Sequence, residues 1–280
     1  MLSCTGKRSH RHTILHVSFS NSFGLASAQH STGFVGCARN MRNEQIEKLK
    51  SELSPLYDKL IKDVENEQPA EKAFFCMQWG KNFPNADNDG LMFVGRATNG
   101  WQDHDYKASS FFGNSFGQLF NLPDQMQWVE SAEGSSNYNT KSSAFWRVIK
   151  AVSSHFYPSN WSSYVAWSDV CKVAPFEGGN PSDSLYYAQI EDCEEIFKAE
   201  VKALSPKAVI FFTGYSWAKD ILISLNGGNE PKPTDGKAWG GNYKAVVYKI
   251  NGINYIVTEH PQGKSEVEHT DTLIKIIEGN

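Results

Sequence analysis

Two hydrophobic patterns alternate along this 280-residue chain. In one, apolar residues recur every three or four positions with charges between them, the spacing of an amphipathic helix. Ile46, Leu49, Leu53, Leu56 and Leu60 do this within residues 41–66. Phe145, Val148, Ile149 and Val152 do so within 145–156, and Ile190, Cys193, Ile196, Phe197 and Val201 within 185–204. Shorter helices are expected at 116–122, 216–225 and 269–277, and Pro55 is expected to kink or split the first helix. In the other pattern, apolar residues cluster and stop at turn residues, which reads as strand. Residues 91–94, 163–170 and 208–212 fit it, as do 245–250 and 253–258, joined at the hairpin dipeptide Asn251-Gly252. Residues 80–90, 95–114, 171–183 and 226–242 read as loops. Strands alternating with helices predict an α/β fold in three layers, with helices on both faces of a mostly parallel sheet of about four strands.

Two strand ends carry candidate chemistry. Leu91-Met92-Phe93-Val94 runs into Gly95-Arg96-Ala97-Thr98-Asn99-Gly100, and Tyr255-Ile256-Val257-Thr258-Glu259 runs into His260-Pro261. Open α/β sheets bind ligands at the carboxyl ends of their strands. Glycine at such an end lets the backbone turn sharply and approach a ligand closely.

Composition narrows the picture. The chain is 40% hydrophobic, enough for a sizeable core, and no stretch reaches the roughly 18 apolar residues of a membrane span. Cys4, Cys37, Cys76, Cys171 and Cys193 are scattered, which argues against a disulfide framework and a CxxC metal site, and for a reduced, intracellular protein. Residues 1–43 hold Lys7, Arg8, Arg11, Arg39 and Arg42 but no acid; the first is Glu44. Three readings are open: an organellar transit segment, a poor secretory signal ending at Ala26-Ser27-Ala28, or an upstream extension with the folded protein starting at Met41. The third is favoured, with residues 1–40 disordered, 41–280 a single domain and a cytoplasmic location unless the segment is a genuine transit peptide. The net charge is −4; residues 1–40 hold four of the cations and none of the acids, so the remainder carries −8. Nucleic-acid binding would need a local positive face.

Four spaced blocks resemble the uracil-DNA glycosylase superfamily over about residues 90–278. Residues 91–100 resemble its first motif, a buried strand ending in a Gly-x-Ala turn. Ser110-Phe111-Phe112-Gly113-Asn114-Ser115-Phe116 resembles the segment that sets an aromatic ring against the flipped base. Val165-Ala166-Trp167-Ser168-Asp169-Val170-Cys171-Lys172 resembles the strand that reads the base edge, and His260-Pro261 the catalytic His-Pro motif. The resemblance implies a DNA glycosylase-like hydrolase excising a damaged or deaminated base such as uracil from single- or double-stranded DNA. It implies no cofactor, no membrane partner and a monomer.

On that resemblance, Phe111 stacks on the base, and His260, with backbone N–H groups near Gly95 and Ala97, stabilises negative charge on the base oxygen. Relatives carry an acidic or amide residue in the first motif where this chain has Arg96, Ala97 and Thr98. Asn99, Asp103 or Asp105 would then position water. The base-reading asparagine is also missing; Ser168 and Asp169 stand in its place, and Asp169 would accept from an amino group. Arg96, Lys172 and Lys264 are the candidate DNA contacts, and Gln262-Gly263-Lys264-Ser265 stands where relatives often have an apolar wedge. The iron–sulfur cysteines of the thermophile-type branch are absent. Two alternatives have different chemistry: a superfamily member that binds nucleic acid or a nucleotide without cutting it, and a serine hydrolase with Ser115 in Gly113-Asn114-Ser115-Phe116-Gly117, Asp220 or Asp235, and His260. A metal at Asp103-His104-Asp105 is disfavoured, because adjacent side chains of an extended segment point in opposite directions.

Overall fold

A computed structural model describes residues 32–83, 90–98, 124–135 and 138–279, with side chains from residue 44 onward. In chain order the helices are α1 (Thr32–Asp63), α2 (Gln127–Ser131), α3 (Ala144–Phe156), α4 (Asp183–Leu204), α5 (Tyr215–Leu225) and α6 (Glu266–Glu278). The strands are β1 (Lys72–Phe74), β2 (Gln78–Trp79), β3 (Leu91–Ala97), β4 (Val165–Cys171), β5 (Val173–Pro175), β6 (Ala208–Phe212), β7 (Asp235–Trp239), β8 (Tyr243–Ile250) and β9 (Ile253–Thr258).

The main sheet has seven strands in the order β2-β4-β3-β6-β9-β8-β7. Its centre, β4-β3-β6-β9, is parallel, as the apolar runs predict, and β2, β8 and β7 add antiparallel margins. The β8–β9 hairpin turns where expected, with Asn251 and Gly252 both at positive φ (50° and 85°), the primed geometry that suits the strand twist. Two cores flank the sheet. One joins Met92, Val94 and Val209 to α1, α4 and α5; the other joins Phe93, Ile210 and Phe212 to α3 and α6.

Helix ends follow local chemistry. The Ser143, Ser182 and Ser265 hydroxyls accept hydrogen bonds from the backbone N–H groups of Trp146, Leu185 and Glu268, satisfying first-turn donors that have no partner inside the helix.

Three expectations need correction. α1 is one helix that passes through Pro55. The proline withholds its own amide bond, but Leu49, Leu53, Tyr57, Leu60 and Val64 form a fully buried stripe in the α4-side core, and packing outweighs the lost bond. That helix also begins at Thr32 rather than 41, so residues 32–40 are helical instead of belonging to the expected tail; residues 1–31 lie outside the described residues. Finally, 226–242 and 171–183 are not wholly loop. β7 is a polar edge strand paired only with β8, and β5 pairs with β1 in a separate two-stranded ribbon. The helix expected at 116–122 lies outside the described residues.

The sheet order fixes where a site can form. The described part of the β3–β4 connection carries α3 on one face, whereas α4 and α5, which follow β4 and β6, pack on the other. The chain therefore reverses direction about β3, and the carboxyl end of β3 is the switch point at which such sheets bind ligands.

Candidate active site

The ends of the four parallel strands bring Gly95, Asp169, Thr213 and His260 to one edge of the sheet. Gly95 lies in register with Asp169 on the neighbouring strand. A Cβ at Gly95 would fall 2.3 Å from Asp169 Oδ1 and 3.8 Å from Phe145 Cε2. Glycine is required here because the carboxyl and the Phe145 ring occupy the place of a side chain. Asp169 is only 2% exposed, and its Oδ2 has no hydrogen-bond partner. Burial pushes its carboxyl up to about 8, against the pull of Lys172, the Trp167 indole and the Gly95 N–H.

His260, two residues beyond the end of β9, is half-buried, and its ring is nearly parallel to Phe145, with centroids 6.1 Å apart and 12° between planes. Nδ1 accepts a hydrogen bond from the Gln262 N–H at 3.2 Å. An accepting Nδ1 carries no proton, so neutral His260 holds its proton on Nε2 and presents it as a donor. Burial lowers the His260 pKa, and the charges of Arg96 and Lys264 lower it further. The Lys264 ammonium donates to the His260 carbonyl at 2.8 Å and lies over the Tyr243 ring, so the loop after the histidine is tied back on itself.

Behind His260 lies a buried polar stack. His269 packs flat on Trp239 (3.8 Å between centroids, 6° between planes), and both hydrogen-bond Thr258 Oγ1. Burial pushes the His269 pKa down to about 3, so this ring is neutral.

The other expected residues separate. Ala97 packs against the α4-side core, in register with Cys171 rather than Asp169. Arg96 donates from Nε to the Thr213 carbonyl at 3.0 Å and lies over the Trp217 ring, at the same strand edge as His260. Ser168 and Lys172 are corrected. Alternation along a strand turns them away from the Asp169 face. The Ser168 hydroxyl donates to Glu200 at 2.7 Å, and the Lys172 ammonium donates to Ser168 Oγ at 2.6 Å and to Glu200 at 3.0 Å. Lys172 and Glu200 are fully buried against one another, so Lys172 cannot reach a phosphate, and Ser168, bonded to both, is turned away from the Asp169 face. Asn99, Asp103, Asp105, Phe111, Ser115 and the Asp103-His104-Asp105 cluster lie outside the described residues.

The acid–histidine half of the serine-hydrolase reading is not built. His260 Nδ1 is engaged by Gln262, Asp220 accepts from Tyr186 at 2.8 Å, and Asp235 accepts from the Gly236 N–H at 2.7 Å. Among the described residues, no group of three His, Cys, Asp or Glu side chains is placed to hold a metal ion.

Two residues join the site that sequence reasoning missed. Phe145 read as an ordinary core position of α3; its place one residue inside the helix start, after the Ser143 cap, was the available signal. Glu259 precedes His260, and its carboxylate lies 3.3 Å from where a Cβ on Gly214 would stand, at the start of α5. A helix N-terminus is a favourable place for negative charge.

A family model described as the Uracil DNA glycosylase superfamily matches residues 77–277. The chain belongs to this superfamily. The match runs from β2 into α6 and takes in all four parallel strands, Gly95, Asp169 and the His-Pro turn, so the site just described lies wholly within the superfamily domain. The chain has no significant sequence match among curated proteins.

Proposed function

We propose that this protein is a DNA glycosylase that hydrolyses the N-glycosidic bond of a deaminated or damaged base, such as uracil, flipped out of single- or double-stranded DNA. The observation that carries the reading is His260, a neutral, half-buried imidazole at the carboxyl edge of the parallel strands whose proton, with Nδ1 accepting, sits on Nε2 as a donor. Breaking the bond to the sugar leaves negative charge on the base, and a fixed neutral donor in a partly desolvated place stabilises that charge with little reorganisation. Phe145, stacked beside the imidazole, supplies an aromatic wall, in company with or in place of Phe111. Asp169 reads the base edge beside Gly95. Arg96 and Lys264 carry positive charge close enough to lower the histidine pKa and would meet the DNA backbone. Asn99 or Asp103 would position the attacking water.

One observation favours a second reading, a superfamily member that binds without cutting. The described end of β3 offers arginine, a core-packed alanine and a buried threonine, and no carboxylate.

The test is excision by the full chain on single- and double-stranded oligonucleotides carrying uracil, hypoxanthine, xanthine or a G·T mismatch, read as alkali-labile abasic sites. The expected result is cleavage of at least one substrate, slowed about 10²–10³-fold by His260→Ala, the usual cost of removing one donor of this kind. No cleavage on any substrate, with binding retained, would favour the second reading.

A further inference from the structure

Asp169 is a buried carboxyl whose two oxygens are not equivalent. Oδ1 stands against Gly95, and the Trp167 indole and the Gly95 N–H both hydrogen-bond the carboxyl. Oδ2 has no partner. A buried oxygen without a partner is costly unless something else supplies the bond. Phe145 comes within 3.8 Å of where a Gly95 Cβ would stand, on the side Oδ1 also occupies, and its ring stacks beside His260. Oδ2 is the oxygen left without a partner, so a proton on this carboxyl belongs there, where it makes that oxygen a donor.

We propose that Asp169 reads its base as a neutral carboxylic acid, Oδ2–H donating to a base carbonyl, and that ionisation reverses the preference toward a base with an amino group at the same position. The inference rests on the reading of this edge as a base pocket. A carboxylic acid protonated on Oδ2 offers one donor and suits the carbonyl of uracil or hypoxanthine. The carboxylate has only acceptors and suits the amino group of cytosine or adenine.

The surroundings favour the neutral form. The Lys172 charge on the other side of β4 opposes it but is shared with Glu200 on α4. Among the described residues, Cys171 on β4, Tyr57 on α1 and Tyr138 ahead of α3 are the other titratable groups that sense Asp169, and burial keeps all three neutral. From β3, the Arg96 side chain turns to Thr213, and from the β9 end His260 is neutral. The carboxyl is accordingly raised to about 8, so the change would fall within an accessible pH range.

The experiment is single-turnover excision by the full chain on single-stranded oligonucleotides carrying uracil or cytosine at one position, between pH 6 and 9. These bases differ in carbonyl against amino at ring position 4. For wild type, the uracil rate follows the acid and the cytosine rate the carboxylate, so the expected uracil-to-cytosine rate ratio falls as pH rises from 6 to 9, by up to about tenfold per pH unit, as one proton requires. In Asp169→Asn, whose amide does not titrate, the ratio should stay flat. A wild-type ratio that does not change with pH overturns the inference without any variant, and so does the same fall in Asp169→Asn. Excision of no base at all by wild type overturns the base-pocket reading and this inference with it.

Discussion

Gly95 has room for a hydrogen and nothing larger. In Gly95→Ala the new methyl would stand 2.3 Å from Asp169 Oδ1. The carboxyl is short, buried and bordered by Phe145, so it cannot swing aside without disturbing the site. The expected cost is about 1–3 kcal/mol in unfolding free energy, typical of overpacking, together with loss of excision; denaturant melts and the abasic-site assay check the two parts. His269 gives a pH prediction. Its folded pKa, about 3, lies below the ordinary 6.5, because burial, aided by the Lys264 charge, disfavours the imidazolium. Between those values the unfolded chain binds the extra proton. The stability this ring confers is therefore complete above about 6.5 and is lost as pH falls toward 3, with a slope approaching about 1.4 kcal/mol per pH unit. His269→Gln should show a shallower acid limb by about one proton when stability is measured from pH 7 to 4.

At the scale of elements, β4 divides its chemistry between two faces. Asp169 faces Gly95 and Phe145, and the buried Ser168–Lys172–Glu200 group clamps the strand to α4. Removing one member of a buried ion pair strands the other charge. Lys172→Met is expected to cost about 3–5 kcal/mol, and Lys172→Met with Glu200→Leu to recover most of it; equilibrium unfolding of the three proteins measures this. The central strands and the β8–β9 hairpin were legible because burial on both faces leaves unbroken apolar runs and Asn-Gly permits the turn. β7 was not legible, since an edge strand reading Asp-Gly-Lys-Ala-Trp buries little beyond Trp239. β1 and β5 escaped because three-residue strands leave no periodicity. The His-Pro turn and Gly95 were visible as strand ends. Phe145 was hidden because one apolar periodicity serves both a core face and a pocket wall, and the role of Lys172 was misjudged because sequence alone does not say which face of a strand end is covered by a helix.

For the whole molecule, a net charge of −4 leaves no general attraction to DNA, and binding would depend on local charge such as Arg96 and Lys264 beside the histidine. Their proximity has a second effect, since both help keep His260 uncharged. The central claim is thus that a neutral His260, donating from Nε2, performs the chemistry. The most direct measurement is the single-turnover excision rate from pH 5 to 7.5, below the Asp169 titration, for wild type and His260→Ala on the best substrate. The account predicts a wild-type rate that is flat near neutrality and falls only as pH drops below the lowered histidine pKa, and a loss of about 10²–10³-fold in the variant. A wild-type rate that rises on acidification, or a variant as fast as wild type, would contradict it.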